Sequence, residues 1–581
     1  MKKTVSALIA LLLLGACIAP TLASCQKQNT EGSATTEDTA VTEQTIVEEK
    51  GIEKIYVVRP EVASDAMMRL VNNAGKVITE ETGIASEVIV DLITPYEAKE
   101  GCYYVIFGDT TYDQSKALSG SAEDNRMYYS ASKDHVAVYA KTEQLMTIAA
   151  EQLFAECIKD GKFGVAEKYN SLAVDGSDYV RDGWQLNFPA FKRGQLGATV
   201  YDTGRGFDKD RDASRLQAVA LITADPFREY CAQLEAAGYT KEFENEIEGD
   251  LFASFSGVLG TNIYAYFTKS KFEIKIIEDN VSAPLSKFCY ELDASSNTRL
   301  YAFKLDYKSE DCFLIHLADN SWFIIDGGNT GSVGGSEYVR DMYNFMVERS
   351  NLKEGEKLQI SCWYLTHAHS DHFYGMYGLV REYGTKIEIH RVIDNTPVDG
   401  FMVCDERGKY ETLLSKIKKD YGAMYLKVHT GMQVQIADLS LEVLFTQEDK
   451  IAEYYTGWTT NPNNVCLISR FDIAGLTFLE TGDNKVAEHY RYSIDKYTTD
   501  VLKIAHHYYD TTMDSFYKKL YNTGKVAYCY NPRWASTATA ANNYQAPTLA
   551  LFGSKYLQGY DNVIYEFYKT GSVVRMSQIS C

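Results

Sequence analysis

At 581 residues the chain is too long for one ordinary domain, and 45% hydrophobic against 24% charged residues exclude a disordered or fibrous protein. A formal net charge of −21 repels polyanions, so it weighs against long nucleic acid as the main partner without excluding a small phosphoester. Ten of the twelve cysteines are scattered beyond residue 25 with no CxxC spacing, which reads as mostly free thiols, one or two disulfides remaining open.

Residues 1–25 read as an export signal: Lys2 and Lys3, an apolar run from Val5 to Leu14, then small residues before a cysteine. Two stretches resemble the lipobox of bacterial lipoproteins, LGAC ending at Cys17 and LASC ending at Cys25, and Cys25 is favoured because the polar tail starts right after it. The resemblance implies a lipid anchor at Cys25 on the outer face of a bacterial membrane, with about 0.8 kcal/mol gained per buried methylene. A plain secretory signal is the alternative. Residues 26–50 are rich in Ser, Thr and Glu and read as a disordered tether. No later segment has enough consecutive apolar residues to span a bilayer.

Residues 51–186 form a first unit of α/β pattern. Tyr103 to Asp109 and His135 to Ala140 have strand character, and Leu145, Ile148, Ala149, Leu153 and Cys157 share one helical face. Loosely, the pattern is similar to accessory domains that precede catalytic domains in secreted carbohydrate-active proteins. Residues 187–294 read as a compact α+β unit with no chemistry of its own. Asp225 is expected to cap a helix that Pro226 opens and Gly238 closes, and strands are expected at Asn262 to Phe267 and Phe272 to Glu278.

Residues 295–581 carry the chemistry. Phe313 to Gly328 reads as two strands joined by a turn at Ala318 to Asn320, and Gln359 to Leu365 is a strand running straight into THAHSDH. In an extended loop, His367 and His369 can reach one ion while Asp371 and His372 reach another, and such nitrogen and oxygen donors suit zinc and tolerate manganese or iron. His390 and His429 read as surface or strand-edge histidines.

HAHSDH resembles the signature of the metallo-β-lactamase superfamily, and three further stretches match in order: IIDGG, FLETGD and LKIAHH. The resemblance implies a C-terminal αββα sandwich, so the expected fold is α/β, with the sandwich preceded by two small α/β or α+β domains. It further implies that Asp326 orients ligand histidines, that Asp483 bridges two metals, and that the pair His506-His507 supplies one more ligand. His507 is assigned to the metal and His506 to the substrate, with the reverse left open. NNVCLISRF and the histidine pair are similar to DNA-uptake competence proteins and extracellular phosphorylcholine esterases. Two departures stand out. Asn463 and Asn464 occupy the region where many relatives carry a further histidine, and Tyr508-Tyr509 follow the pair where competence proteins have Gly-Ser.

The expected cofactors are two divalent ions, zinc or alternatively manganese, bound by His367, His369, Asp371, His372, Asp483 and His507. A divalent metal lowers the pKa of its water from 15.7 to about 7, which makes hydrolysis plausible without a side-chain nucleophile. Asp371 and His506 are the expected catalytic groups, and the tyrosine pair is expected to wall the mouth against a cationic or sugar-like head group. The leading expectation is a surface-anchored phosphodiesterase. The alternatives are a metal-dependent nuclease and a degenerate, glycan-binding lipoprotein.

Overall fold

A computed structural model describes residues 45–47, 51–202, 214–305, 311–329, 336–396, 407–451, 461–509, 511–532, 547–559 and 563–580. The export signal and most of the expected tether lie outside the described residues. The tether's last described residues depart from expectation: Thr45–Val47 is a strand paired antiparallel with Val165–Ala166, and all three of its residues are β-branched.

The first sheet has the order Leu172–Asp175, Arg126–Ala131, His135–Ala140, Cys102–Phe107, Lys54–Arg59, Ala85–Val90, and the last four of these strands are parallel. Helices Asp65–Thr82 and Glu143–Cys157 bury their apolar sides against it. Each starts on a side-chain cap: Ser64 Oγ accepts from Met67 N at 3.2 Å, and Thr142 Oγ1 from Leu145 N at 3.2 Å.

The second sheet is wholly antiparallel, in the order Gln195–Asp202, Ser214–Ala220, Glu273–Asp279, Asn262–Thr268, Asp250–Ser256, Thr240–Ile247. Helix Ala224–Ala236 covers one face. This helix starts one residue before the expected cap, so Asp225 lies in its first turn, where a carboxylate favours the positive end of the helix dipole. The opposite face is not free. Leu216, Phe252, Tyr264, Tyr266 and Ile277 share a core with Leu426, Val428, Met432 and Val434 of the C-terminal half.

That half is a sandwich of two sheets. One has eight strands, from Tyr290–Glu291 through Gln433–Ala437, Leu439–Phe445, Ile468–Ile473, Leu476–Glu480, Val501–Lys503 and Tyr528–Asn531 to Tyr556–Gln558. The other runs Met424–Lys427, Arg391–Asp394, Leu358–Tyr364, Trp322–Asp326, Cys312–His316, Arg299–Ala302, Val563–Thr570, Val573–Ser580, with Ile387–Ile389 paired to Leu358–Tyr364 as a ninth strand. Its strands read as unbroken apolar runs because both faces are buried: Phe313, Ile315, Phe323 and Ile325 point into the sandwich, while Leu314, Trp322 and Ile324 point out beneath helices Ser336–Ser350, Ser370–Tyr383 and Arg407–Tyr421. Helix Asp514–Asn522 covers the outside of the other sheet. The layers are therefore αββα.

Eight cysteines among the described residues form no disulfide, and six of these are buried. No helix among the described residues is long and apolar enough to cross a membrane.

Candidate metal centre

The centre is built at the C-terminal ends of two neighbouring parallel strands, Trp322–Asp326 and Leu358–Tyr364. Asp326 ends the first with φ of 59°, a left-handed conformation that turns the chain abruptly. Gly327 and Gly328 then donate their amides to Asp311 O at 3.2 and 3.0 Å, so the bend wraps around Asp311. The Asp326 carboxylate accepts from Thr366 N at 2.8 Å, Thr366 Oγ1 at 2.9 Å and His372 Nδ1 at 2.7 Å. With Nδ1 held in this way, His372 turns its Nε2 toward the centre.

THAHSDH is only partly the loop expected. His369 is the N-cap of helix Ser370–Tyr383, so Asp371 and His372 lie on a helical first turn. Gly375, the last residue of THAHSDHFYG, explains how that helix comes so close to the Asp-Gly-Gly bend. A Cβ at this position would lie 1.7 Å from Gly327 O.

Two groups of ligand atoms result, sharing one carboxylate. His367, His369 and Asp483 form the first; His367 Nε2 is 3.0 Å from His369 Nδ1 and 3.9 Å from Asp483 Oδ2. Asp311, His372, Asp483 and His507 form the second. His372 Nε2 lies 3.5 Å from both Asp311 Oδ2 and Asp483 Oδ2, and His507 Nε2 lies 3.8 Å from Asp311 Oδ2 and 3.7 Å from Asp483 Oδ1. His372 Nε2 and Asp483 Oδ1 are buried with no hydrogen-bond partner among the described residues. Convergent imidazole and carboxylate atoms, buried and unsatisfied, fit divalent metal ions and fit little else.

At the first group, charge supports the same assignment. Burial, with His372 adding to it, drives the His367 pKa well below its ordinary value, and burial lowers His369 too; neutral imidazoles are what a metal requires. Burial opposes ionisation of Asp483, but His507 and His372 hold it well below the usual carboxylate range. A fixed cation sits behind the second group. Lys503 Nζ donates to Gly482 O at 2.5 Å and lies 2.7 Å from Asp311 Oδ2 and 3.7 Å from both Glu480 Oε1 and Asp483 Oδ1.

The profile of the metallo-β-lactamase superfamily matches residues 306–446, the stretch that holds Asp311, Asp326 and THAHSDH. Residues 306–446 carry a metallo-β-lactamase superfamily domain. Its sandwich continues beyond the match to supply Asp483 and His507. No curated protein matches the chain. Among solved structures it is similar to CmlA, a diiron β-hydroxylase from Streptomyces venezuelae (12% identity, TM-score 0.25, 41% of this chain and 46% of that one). It is also similar to a metallo-β-lactamase of Cronobacter sakazakii (13%, 0.21, 47% and 89%) and a flavo di-iron protein from Thermotoga maritima (13%, 0.20, 40% and 51%). The chain thus spans about half the length of CmlA, and at these scores the likenesses carry no argument about activity.

Within the metallo-β-lactamase domain and its continuation, the expected residues separate. His367, His369, His372, Asp483 and His507 converge, and Asp326 sits behind His372. Asp371 lies beside the second group rather than within it. Its Oδ2 lies 3.3 Å from His507 Nε2 and 3.9 Å from His372 Nε2, and the carboxylate completing the second group is Asp311. Adjacent residues on a helix point about 100° apart, so His372 faces the centre while Asp371 looks to the mouth, partly exposed. His372 and His507 hold the Asp371 carboxyl at about 2 although burial opposes its charge.

Asp311 was missed because it lies outside every matching stretch. The available signal was its place just before a strand whose partner ends at Asp326, with Cys312 opposite Asp326. His506, His507 and Tyr508 all have left-handed φ, of 49°, 51° and 58°, which splays the two imidazoles apart: His507 inward, His506 half-buried at the rim. The tyrosine wall is half of what was expected. Tyr508 is buried, its hydroxyl 2.6 Å from Asp514 Oδ1, and only Tyr509 is exposed, its ring 5.2 Å from His506 and 5.6 Å from His507.

The reading of His429 as a surface or strand-edge residue is corrected. It is buried and stacked on Tyr264 at 4.8 Å, because the second sheet covers this edge of the sandwich. His390 is exposed, beside Gln359 Oε1 at 2.8 Å.

Proposed function

We propose that this chain is a metal-dependent hydrolase, exported and lipid-anchored at Cys25, that cleaves a phosphodiester of a cell-surface polymer or head group. The observation that carries the proposal is the Asp483 carboxylate common to both ligand groups. Two divalent ions bound there would supply an activated water and a clamp for the entering and leaving oxygens of an in-line displacement. Zinc suits the imidazoles and manganese the carboxylates.

Around that centre the chain's own groups divide the remaining work. Asp371, ionised at neutral pH and open to the mouth, accepts a hydrogen bond from the attacking water and orients it. His506, at the rim, donates a proton to the leaving oxygen. Tyr509 offers an exposed ring beside both histidines, suited to a cationic head group. The net charge of −21 disfavours a polyanionic substrate.

The test is hydrolysis of bis-p-nitrophenyl phosphate and p-nitrophenyl phosphorylcholine by the mature protein loaded with zinc or manganese. No metal-dependent release of p-nitrophenol from either would sink the proposal, and degradation of single-stranded DNA in manganese would redirect it to a nuclease. The anchor is tested by Cys25→Ala, which should move the protein from the membrane fraction to the medium.

A further inference from the structure

We infer that Asn463 is a further protein ligand of the ion held by His367, His369 and Asp483, supplying its side-chain amide oxygen. This rests on the metallohydrolase reading and refines its first metal site. That group offers only three ligand atoms, one short of a tetrahedral set, whereas the second offers four.

Asn463 is 6% exposed, and its Oδ1 is a buried acceptor that meets no donor in hydrogen-bonding geometry among the described residues. Buried amide oxygens are almost always satisfied, and one that is not calls for a partner of another kind.

Its position is fixed from three sides. Asn461 Oδ1 accepts from Asn463 N at 3.0 Å and starts the short turn Pro462–Val465. Leu467 N then donates to Thr366 O at 3.2 Å, next to His367, and Asn484 Nδ2 donates to Cys466 O at 3.1 Å, next to Asp483. The turn is thereby clamped between the two segments that bear the other ligands.

An amide oxygen adds a donor without adding charge. It makes the first site two nitrogens and two oxygens, a harder set than three imidazoles and one carboxylate, and harder sets move preference from zinc toward manganese.

The test is equilibrium dialysis of the mature chain against zinc, manganese and mixtures of the two, with metal content measured per folded molecule, together with the visible spectrum of the cobalt-loaded protein. The wild type is expected to bind two ions. N463A should keep one and bind the other at least about tenfold more weakly, with an altered cobalt spectrum. N463D, which retains an oxygen, should keep both ions, and N463H should shift the mixture toward zinc. These two variants carry the test if N463A does not fold.

Two ions bound by N463A with wild-type affinity and an unchanged cobalt spectrum would overturn this inference alone. So would an N463D as weak as N463A. A wild type that binds no ion would overturn the metallohydrolase reading as well.

Discussion

Two buried clusters of histidines and carboxylates sit along one edge of the nine-stranded sheet, and they solve opposite problems. The metal centre lies at the ends of Trp322–Asp326 and Leu358–Tyr364; the other cluster lies at the ends of Arg391–Asp394 and Met424–Lys427. In the second cluster every charge has an answering charge. Lys427 Nζ is 3.4 Å from Glu448 Oε1, and His429 lies 3.4 Å from Glu448 Oε1 and 3.9 Å from Asp279 Oδ2. Asn395 Nδ2 donates to both Glu448 oxygens, at 2.9 and 2.8 Å. Burial opposes the charge on His429, but Asp279 and Glu448 outweigh it and raise its pKa. In the metal centre the imidazoles face one another and the carboxylates converge on the same volume. Burial of titratable groups is common to both; what separates a ligand cage from an ion-pair network is whether the side-chain atoms converge on one volume or pair off charge against charge.

The comparison can be broken in order of expected effect. Asp483→Ala should abolish it at the metal centre, because both ligand groups lose their shared member: metal content falls to none and hydrolysis to background, with the fold retained by circular dichroism. Glu448→Ala leaves Lys427 and His429 buried without their carboxylate, and denaturant unfolding should show a loss of about 3–5 kcal/mol. Metal content per folded molecule should not change. An equal loss of metal in Glu448→Ala would show that the two clusters act as one.

Asp326→Asn keeps the shape but weakens the hold on His372 Nδ1, so metal affinity should fall about 10–100-fold in competition with a chelator. The smallest effect concerns a carboxylate with neither ion nor cation. Glu151 is fully buried, accepts from Leu259 N at 3.0 Å, and is pushed up by burial to about 8 from an ordinary 4.5. Its raised folded pKa gives stability that is full below pH 4.5 and declines as pH rises toward 8, by about 1.4 kcal/mol per pH unit inside that window. Glu151→Gln should flatten unfolding free energy measured between pH 6 and 7; an unchanged slope would reject the assignment.

Much of the metal centre was legible in the sequence because its residues come in short runs whose spacing is itself chemical. Three histidines and a carboxylate within six residues have few other uses, and Asp326, Asp483 and His507 lie at or just beyond strand ends. Asp311 and Lys503 were not legible, since a single acid before a strand or a lysine within one looks like many others until the two sheets of the sandwich bring them 2.7 Å apart. The helical start at His369 was hidden for a related reason: neighbouring ligands on a turn and on a loop share the same spacing in sequence. His429 misled in the opposite direction. Met424–Lys427 is an edge strand of its sheet, and nothing local to it says that a second sheet, more than 140 residues earlier, covers that edge.

That cover has a practical consequence for anyone wishing to produce the C-terminal half by itself. A fragment starting at residue 295 would strip Phe252, Tyr264 and Tyr266 from Leu426, Val428 and Met432 and turn a sealed apolar face to water. It would also remove Asp279 from His429, Ser214 from Lys427, and Asp250 from Arg491, 3.0 Å away, opening the charged network from behind. Such a fragment should clump rather than stay in solution. The shortest soluble piece is expected to begin before Gln195, so that the whole antiparallel sheet travels with the metal centre as its back wall.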